Sequence, residues 1–182
     1  MLRIGYIGLG IMGKSIARNI LKAGFPVVVH NRSRGAVDEL AAEGAQAATS
    51  PAEAAAQVDV LFTNLPDSPD VEKVVLGAKG VIEGAHNGLI FVDNSTIKPA
   101  TARLIAKKLA EAGVAALDAP VSGGDVGARN ATLTIMVGGE ASAVEKVMPV
   151  FEVMGKKITH IGEAGTGQVA KAANQIMVAA QM

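Results

Sequence analysis

Three glycines at a fixed spacing near the amino terminus are suited to binding a phosphate group. They lie in the segment Gly8-Leu9-Gly10-Ile11-Met12-Gly13, which follows a short apolar run and precedes a helical pattern. Gly8 permits a tight turn, Gly10 lets the backbone approach a pyrophosphate, and Gly13 lets the helix pack on the strand. The chain holds 21 glycines, so a chance cluster is the alternative. The strand before the segment and the helix after it favour a dinucleotide site, with phosphate at the unpaired N–H groups of the helix.

A lysine and two amides near the carboxyl end could carry out proton transfer. Lys171 lies three residues before Asn174 and four before Gln175, so the three side chains share one face of a helix. Burial among the neighbouring alanines and valine would lower the pKa of the lysine towards a range useful for an acid or base. Gly167, one turn earlier, is expected to leave room beside the lysine for a substrate or cofactor. An exposed lysine on a helix surface explains this pattern alone equally well.

The end of the second apolar run bears on the choice of dinucleotide. This place usually carries Asp or Glu in NAD sites, where the carboxylate holds the ribose 2′-hydroxyl. The chain instead has Asn31, without negative charge, followed by Arg32, Ser33 and Arg34. The two arginines can offer planar donors to a 2′-phosphate. The sequence therefore predicts NADP(H), bound in part by Asn31, Arg32 and Ser33; the alternative is that the arginines only begin a surface helix.

Predicted strands alternate with helices along the whole chain. This alternation predicts an α/β protein of the Rossmann type, a doubly wound, mainly parallel sheet with helices on both faces. The predicted strands are 4–7, 26–30, 46–48, 58–63, 89–92, 114–121, 133–137 and 157–161. The predicted helices are 15–23, 35–42, one from 51, 69–76, 99–112, 141–154, and one that opens at 165–167 and still runs at Met182. Leu104, Ile105 and Leu109 are expected on one apolar face of the helix 99–112.

Ligands of such sheets bind beyond the carboxyl ends of the strands. Five segments there are polar or rich in glycine, as a binding rim requires: 8–13, 31–34, 64–67, 94–96 and 122–124.

Composition narrows the function classes. The chain has 182 residues, 49% of them hydrophobic, and 17 basic against 17 acidic residues, so neither a nucleic-acid partner nor a membrane surface is indicated. There is no cysteine, and the three histidines lie far apart, so no metal site is expected. The amino terminus enters a strand at once, without a signal-peptide pattern, and no apolar run is long enough to span a membrane. A soluble, cytoplasmic protein is the expectation.

These motifs together resemble the β-hydroxyacid dehydrogenases, a group that includes 3-hydroxyisobutyrate dehydrogenase, tartronate semialdehyde reductase and the glyoxylate/succinic semialdehyde reductases. Four segments carry the resemblance in order along the chain: 8–13; Asn94-Ser95-Thr96-Ile97-Lys98-Pro99; Asp118-Ala119-Pro120-Val121-Ser122-Gly123-Gly124; and Gly167 through Lys171 to Asn174. The resemblance implies that Leu65, Pro66, Asp70 and Thr96 belong to the cofactor site.

By the same resemblance, Ser122, Gly123 and Gly124 bind the substrate carboxylate, for which a hydroxyl and backbone N–H groups at a strand end are chemically suited. Lys171 would be the catalytic acid or base, with Asn174 beside it at the substrate. In 6-phosphogluconate dehydrogenase, His and Asn follow the lysine by three and four residues; Asn174 and Gln175 stand there in this chain and argue against that substrate. Imine reductases usually replace the lysine, so Lys171 argues against them too.

The resemblance also implies a domain plan and an activity. Residues 1–163 would form the dinucleotide-binding domain, and 164–182 would begin a long helix leading to an all-helical domain through which the protein forms homo-oligomers. The expected activity is NADPH-dependent reduction of small carboxylate-bearing aldehydes such as glyoxylate or succinic semialdehyde, or the reverse oxidation of a 3-hydroxy acid. The alternatives are a non-catalytic dinucleotide-binding module, or 3-hydroxyisobutyrate or tartronate semialdehyde as substrate.

Overall fold

The structure, a computed structural model, describes residues 1–180. Its strands are β1 Ile4–Ile7, β2 Val27–His30, β3 Gln46–Ala47, β4 Val60–Thr63, β5 Ile90–Asp93, β6 Ala115–Asp118, β7 Val121–Ser122, β8 Leu133–Gly138 and β9 Gly155–Gly162. Its α-helices are α1 Ile11–Lys22, α2 Gly35–Ala42, α3 Pro51–Ala55, α4 Ser68–Leu76, α5 Pro99–Glu111, α6 Gly124–Arg129, α7 Ala141–Phe151 and α8 Thr166–Ala180. The predicted continuation of α8 to Met182 lies outside the described residues. The division of the chain at residue 163 stays a prediction.

The strands form one twisted sheet in the order β3-β2-β1-β4-β5-β6-β8, with β9 on the far side of β8. The pairs from β3 to β6 are all parallel. The order reverses between β1 and β4, and in a parallel sheet this reversal opens a crevice above the carboxyl ends of the two strands. The predicted α/β class and doubly wound sheet are confirmed.

Successive residues of the central strands face opposite sides of the sheet. Tyr6 packs into one apolar cluster with α1, α2 and α7, whereas Ile7 packs into a second cluster with α3, α4 and α5. In β4, Phe62 and Leu61 divide in the same way. Burial on both faces explains why these strands are runs of Val, Ile, Leu and Phe without polar alternation.

The predicted strand 114–121 is divided in the structure. β6 ends at Asp118 and β7 begins at Val121, because Pro120 has no N–H to donate to β8. The N–H of Ala119 continues the pairing with β5 and donates to the Asp93 carbonyl at 2.7 Å. Both pieces nevertheless pair with β8 in a single antiparallel register, Asp118 with Gly138 and Ser122 with Thr134. β7 therefore continues the line of β6 beyond the edge where the parallel strands end.

Two further differences concern helices. α6 is not among the predicted helices. The two glycines at its start disfavour a helix, whereas a pair of charges four residues apart, Asp125 and Arg129 at 2.7 Å, supports it. In α5, Ile105 and Leu109 are buried as predicted, but Leu104 is 43% exposed because Ala102 and Thr101 complete the buried face instead. Among residues 1–180, no helix combines the length and the apolar character that crossing a bilayer requires.

Candidate functional site

The turn between β1 and α1 depends on glycine at its first position. Gly8 has a φ of +93°, and a Cβ there would overlap the carbonyl group of Asn64 at the end of β4. The N–H of Gly8 donates to the His30 carbonyl at 3.2 Å. A side chain at position 8 would therefore push apart the three strand ends on which the turn rests.

The other two glycines bring α1 close to the turn and leave space in front of it. A Cβ on Gly13 would overlap the carbonyl oxygen of Gly8, so only glycine lets α1 approach β1 this closely. Gly10 faces open space, with no atom within 4 Å of a Cβ built there. Within residues 1–180 no side chain caps the start of α1, and Ile11 in its first turn is 78% exposed. Unbonded N–H groups beside an open position are the surroundings that a pyrophosphate requires.

Asn31 ties the glycine turn to the loop after β2. Its Oδ1 accepts from the N–H of Leu9 at 3.0 Å, and its Nδ2 donates to the carbonyl and the hydroxyl of Ser33 at 3.1 and 2.9 Å. Arg32 is exposed, and Arg34 pairs with Asp38 at 3.2 Å on the surface of α2. The structure therefore brings Asn31 and Ser33 together with the turn, and it gives Asn31 a hydrogen-bonding role that the sequence did not indicate.

The loops after β4 and β5 are fastened to one carboxylate. Asp93 Oδ1 accepts from the hydroxyl of Thr63 at 2.8 Å and from the hydroxyl of Ser95 at 2.6 Å. The Ser95 hydroxyl oxygen in turn accepts from the N–H of Leu65 at 2.8 Å. Leu65 and the segment 94–96 are thereby held at one edge of the sheet. Thr96 lies in that segment with an exposed side chain.

Pro66 and Asp70, two further predicted cofactor residues, are exposed around the start of α4. Asp67 is the N-cap of that helix, with its carboxylate accepting from the N–H of Ser68 at 2.6 Å. These contacts order the start of α4 but do not by themselves bring Pro66 or Asp70 to the glycine turn.

Asp93 is a buried carboxyl group with a raised pKa. Burial raises its pKa from the ordinary 3.8 to about 6, against the hydrogen bonds from Ser95 and Thr63, which lower it. Its second oxygen, Oδ2, has no hydrogen-bond partner within the described residues. Asp93 and its neighbour in the sheet, Asp118, both line a cavity of about 10 Å³ between β5, β6 and α5.

The buried Asp118 holds the start of α8. Its Oδ1 accepts from the N–H of Gly165 at 2.6 Å, and its Oδ2 accepts from the N–H of Gln168 at 2.8 Å. A carboxylate at a helix amino terminus is stabilised by the unpaired N–H groups and the helix dipole. These bonds lower the pKa of Asp118, but burial outweighs them and raises it. Asp118 begins the segment 118–124 that carries part of the family resemblance, but nothing in the sequence indicates this role.

The space predicted beside Gly167 for a substrate or cofactor is filled by backbone atoms of β6 and β8. A Cβ on Gly167 would collide with the carbonyl oxygens of Met136 and Asp118, so this glycine lets α8 press against β6 and β8. Its smallness therefore serves packing of the helix, and the expectation that it clears a space for a ligand is wrong.

Lys171 is buried, at 7% exposure, which rules out the exposed lysine that the pattern alone allowed. Its Nζ donates to Gln175 Oε1 at 2.8 Å, and burial lowers its pKa from the ordinary 10.5. One turn along α8, Asn174 Nδ2 donates to the hydroxyl of Ser122 at 3.4 Å. The lysine helix and the end of β7 therefore meet.

The segment 122–124 combines one half-buried hydroxyl with two exposed glycines. Gly123 and Gly124 have φ values of +131° and +62°, conformations that other residues rarely adopt. Within residues 1–180 no hydrogen bond joins this segment or Lys171 to the glycine turn at 8–13. The structure thus forms two groups of predicted residues at the strand ends, one at the glycine turn and one at α8. In the described chain, no three acidic or histidine side chains lie close enough to hold a metal ion.

A doubly wound sheet with a glycine turn at its switch point defines a dinucleotide-binding domain, and comparison with known families agrees. Residues 3–162 match the model of the NAD binding domain of 6-phosphogluconate dehydrogenase, and the chain belongs to this family.

Relatives within the family are hydroxyacid dehydrogenases and reductases. The NAD-dependent L-serine dehydrogenase of Pseudomonas aeruginosa is 46% identical over 100% of this chain and 61% of its own length. The 2-hydroxy-3-oxopropionate reductase of Escherichia coli is 43% identical over 98% of this chain and 61% of its own. The solved structure of Mycobacterium tuberculosis 3-hydroxyisobutyrate dehydrogenase with L-serine has a TM-score of 0.93 and 39% identity, over 100% of this chain and 61% of that one. The resemblance drawn from the motifs is confirmed, and the chain spans less than two thirds of each of these relatives.

The glycine turn yields a stability prediction. Gly13→Ala places a methyl group against the Gly8 carbonyl and should lower the free energy of unfolding by about 1–3 kcal/mol, as overpacking does. Gly10→Ala is the matched control: it faces open space, so it should cost only about half a kcal/mol through the weaker N-cap. Urea unfolding of the three proteins measures both values, and equal losses in the two variants would contradict the packing role of Gly13.

The raised pKa of Asp93 yields a pH prediction. Between about pH 4 and 6 the folded protein keeps a proton on Asp93 that the unfolded chain has lost, so the contribution of this group to stability falls as pH rises through that window. Asp93→Asn keeps an acceptor for Thr63 and Ser95 and cannot titrate. The stability of the variant relative to the unmutated protein should therefore be greater at about pH 7 than at about pH 4, by on the order of 3 kcal/mol in the free energy of unfolding.

Urea unfolding at the two pH values, with the exposed Asp38→Asn as control, measures this difference. The unpaired amide nitrogen of the variant adds a cost that does not depend on pH, so only the change between the two pH values counts. A change no larger than that of Asp38→Asn would show that Asp93 does not titrate in this window.

Proposed function

We propose that the complete protein is an NADPH-dependent reductase of small carboxylate-bearing aldehydes, of which glyoxylate and succinic semialdehyde are the candidates. The observation that carries this proposal is the buried Lys171, held one helical turn from an amide that contacts Ser122. A protein that only binds a dinucleotide gains nothing from a desolvated lysine, whereas a carbonyl reductase needs a proton donor.

Lys171 is the proton donor in this proposal. Burial disfavours its charged form, so its proton is given up more readily than that of an exposed lysine. As the carbonyl carbon is reduced, the lysine ammonium protonates the carbonyl oxygen and an alcohol forms. Gln175 accepts a hydrogen bond from Nζ at 2.8 Å and holds the ammonium in one orientation until a substrate oxygen takes its place.

Ser122, Gly123 and Gly124 are the proposed carboxylate site. The two glycines are exposed at the end of β7, where their N–H groups and the Ser122 hydroxyl can serve an anion together. Asn174 contacts Ser122 at 3.4 Å and lies on the same helix as Lys171, so a bound carboxylate would lie within reach of the residue that protonates the aldehyde.

The cofactor would be held at the glycine turn, by residues 8–13, and at the neighbouring strand ends by Asn31, Arg32, Ser33, Leu65, Pro66, Asp70 and Thr96. The open space at Gly10 and the uncapped start of α1 fit a pyrophosphate. When bound, the reduced nicotinamide supplies the hydride for the carbonyl carbon. The exposed Arg32 beside the neutral Asn31 favours the 2′-phosphate of NADPH.

Oxidation of a small 3-hydroxy acid with NAD is the second candidate, and the name of the Pseudomonas aeruginosa relative favours it. In that direction Lys171 would act as a base and remove the hydroxyl proton. Assays with glyoxylate and NADPH, and with L-serine and NAD, separate the two candidates.

The lysine proposal predicts a loss of chemistry without a loss of cofactor binding. Lys171→Ala in the complete protein should lower the single-turnover rate of glyoxylate reduction at least about a hundredfold, because positioned acids contribute that much. Lys171→Arg should not restore the rate, since arginine keeps its proton at any working pH. In the unmutated protein the rate should fall as pH rises through the lowered pKa of Lys171, because only the ammonium can donate.

The control is Lys108→Ala, which removes an exposed lysine of α5 paired with Glu111. NADPH affinity, measured by titration, should stay nearly constant in all three variants. Hydride transfer by Lys171→Ala at the unmutated rate would show that another group supplies the proton.

The cofactor proposal predicts tighter binding of NADPH than of NADH. Arg32→Ala removes a charge-assisted contact worth roughly 1.5–3 kcal/mol. The ratio of the dissociation constants for NADH and NADPH should therefore fall about tenfold or more in this variant. The control is Arg3→Ala, which removes an equal charge before the amino end of β1, whereas Arg32 follows the carboxyl end of β2. Equal affinity of the unmutated protein for both cofactors in a fluorescence titration would refute the preference.

A further inference from the structure

One buried side chain joins the helix of Lys171 to the loop of Thr96. Gln168, at 1% exposure, is the third residue of α8 and lies one turn before Lys171. Its Oε1 accepts from the N–H of Ile97 at 3.1 Å, and its Nε2 donates to the carbonyl of Ser95 at 2.8 Å. These two backbone groups belong to the peptide units on either side of Thr96. A single amide therefore fixes both peptides that set the orientation of this residue.

From this arrangement we infer that Gln168 is a positioning residue of the reaction: it fixes the place of Thr96 relative to Lys171. The inference rests on the proposed function, in which Thr96 lies at the cofactor and Lys171 protonates the substrate. We call the two hydrogen bonds of the Gln168 amide the bridge. If this bridge is rigid, the segment 95–97 and Lys171 move together as one unit. Positional errors matter here because a misplacement of about 1 Å can cost a hundredfold in rate.

The bridge is itself anchored at its base. The backbone N–H of Gln168 donates to Asp118 Oδ2 at 2.8 Å, while Asp118 Oδ1 accepts from Gly165. Asp118 lies at the end of β6 beside Asp93, the carboxylate that holds Ser95 from the other side. The amide of Gln168 consequently spans two elements that are each fixed to the sheet by a buried carboxylate, which leaves it little freedom to follow a shifted loop.

Glutamine is suited to this place because the bridge needs one donor and one acceptor on the same planar group. An ionised carboxylate has no donor for the Ser95 carbonyl, so Gln168→Glu should break half of the bridge. A protonated carboxylic acid again has one O–H donor and one carbonyl acceptor, and it can restore both bonds. Burial against a carbonyl oxygen favours that protonated form. Gln168→Met has a similar length and can make neither bond at any pH.

The experiment measures single-turnover hydride transfer in the complete protein with saturating NADPH and glyoxylate, as a function of pH. Rates are expressed as the ratio of variant to unmutated protein, which removes the titration of Lys171 that both proteins share. A new carboxylate at position 168 would raise the pKa of Lys171 and keep the ammonium to higher pH, so this effect opposes the loss expected at alkaline pH. At alkaline pH both variants should lose between about tenfold and a hundredfold. As pH falls, the Gln168→Glu ratio should rise towards one, whereas the Gln168→Met ratio should stay low. The charged groups around this position are the same in both variants: Asp93 of β5, Asp118 of β6, Arg103 of α5 and Lys171 of α8.

A merely structural role would lower both ratios equally at every pH, and that result would overturn the inference. So would an unchanged rate in Gln168→Met. The inference would also be overturned if the Michaelis constant for glyoxylate rose while the hydride-transfer rate stayed constant. Gln168 aligns the reacting groups in this inference and does not bind the substrate.

A second measurement separates the bridge from the proposed activity. The N–H of Ile97 should exchange with solvent deuterium at least about tenfold faster in Gln168→Met than in the unmutated protein, since its acceptor is lost, whereas the N–H of Val29, inside β2, should not change. A protein that transfers no hydride but shows this exchange pattern would refute the proposed function and leave the bridge intact. Equal exchange of Ile97 in the two proteins would refute the bridge, whatever the activity.

Discussion

Two carboxylates buried side by side at the ends of β5 and β6 hold the polar loops of this protein in place. Asp93 and Asp118 are partners in the register of the sheet, and each accepts hydrogen bonds from different segments of the chain, Asp93 through Oδ1 alone and Asp118 through both oxygens. Asp93 accepts hydrogen bonds from the hydroxyls of Thr63 and Ser95, and the Ser95 hydroxyl accepts from the N–H of Leu65. Asp118 accepts from the N–H groups of Gly165 and Gln168, at the start of α8. Burying a carboxyl group is unfavourable unless hydrogen bonds satisfy it, so these loops and carboxylates depend on one another.

The same desolvation acts on groups of opposite charge at this edge of the sheet. It raises the pKa of Asp93 and Asp118 and lowers that of Lys171, moving all three towards their neutral forms. These three side chains therefore share poorly solvated surroundings, although other residues at the strand ends, such as Thr96, are exposed. Lys171 owes this environment to α8 lying close against β6 and β8, which Gly167 permits.

The fold was largely predictable because its signals are local. Apolar runs alternating with helical patterns gave the parallel sheet, and the spacing of Gly8, Gly10 and Gly13 located its switch point. Contacts between distant segments were not predictable. Gln168 and Ser95 are 73 residues apart, and nothing in the sequence near either residue marks their pairing. Pro120 could have signalled the division of β6 from β7, since proline interrupts a ladder, but the apolar residues around it concealed the break. The roles of the predicted cofactor and substrate residues stay predictions.

The division of β6 from β7 has a geometric consequence for any ligand. Ser122 lies four residues beyond Asp118 on the same line of pairing with β8, so it stands about 13 Å above the level where the parallel strands end. The sheet therefore has a step in its upper edge: the edge is low over β1 to β5 and higher at β7. Because β7 is hydrogen-bonded to β8 and is not part of a free loop, its position is as constant as the spacing of the strands. The height of Ser122 above the ends of the parallel strands is thus set by the backbone pairing of β7 with β8.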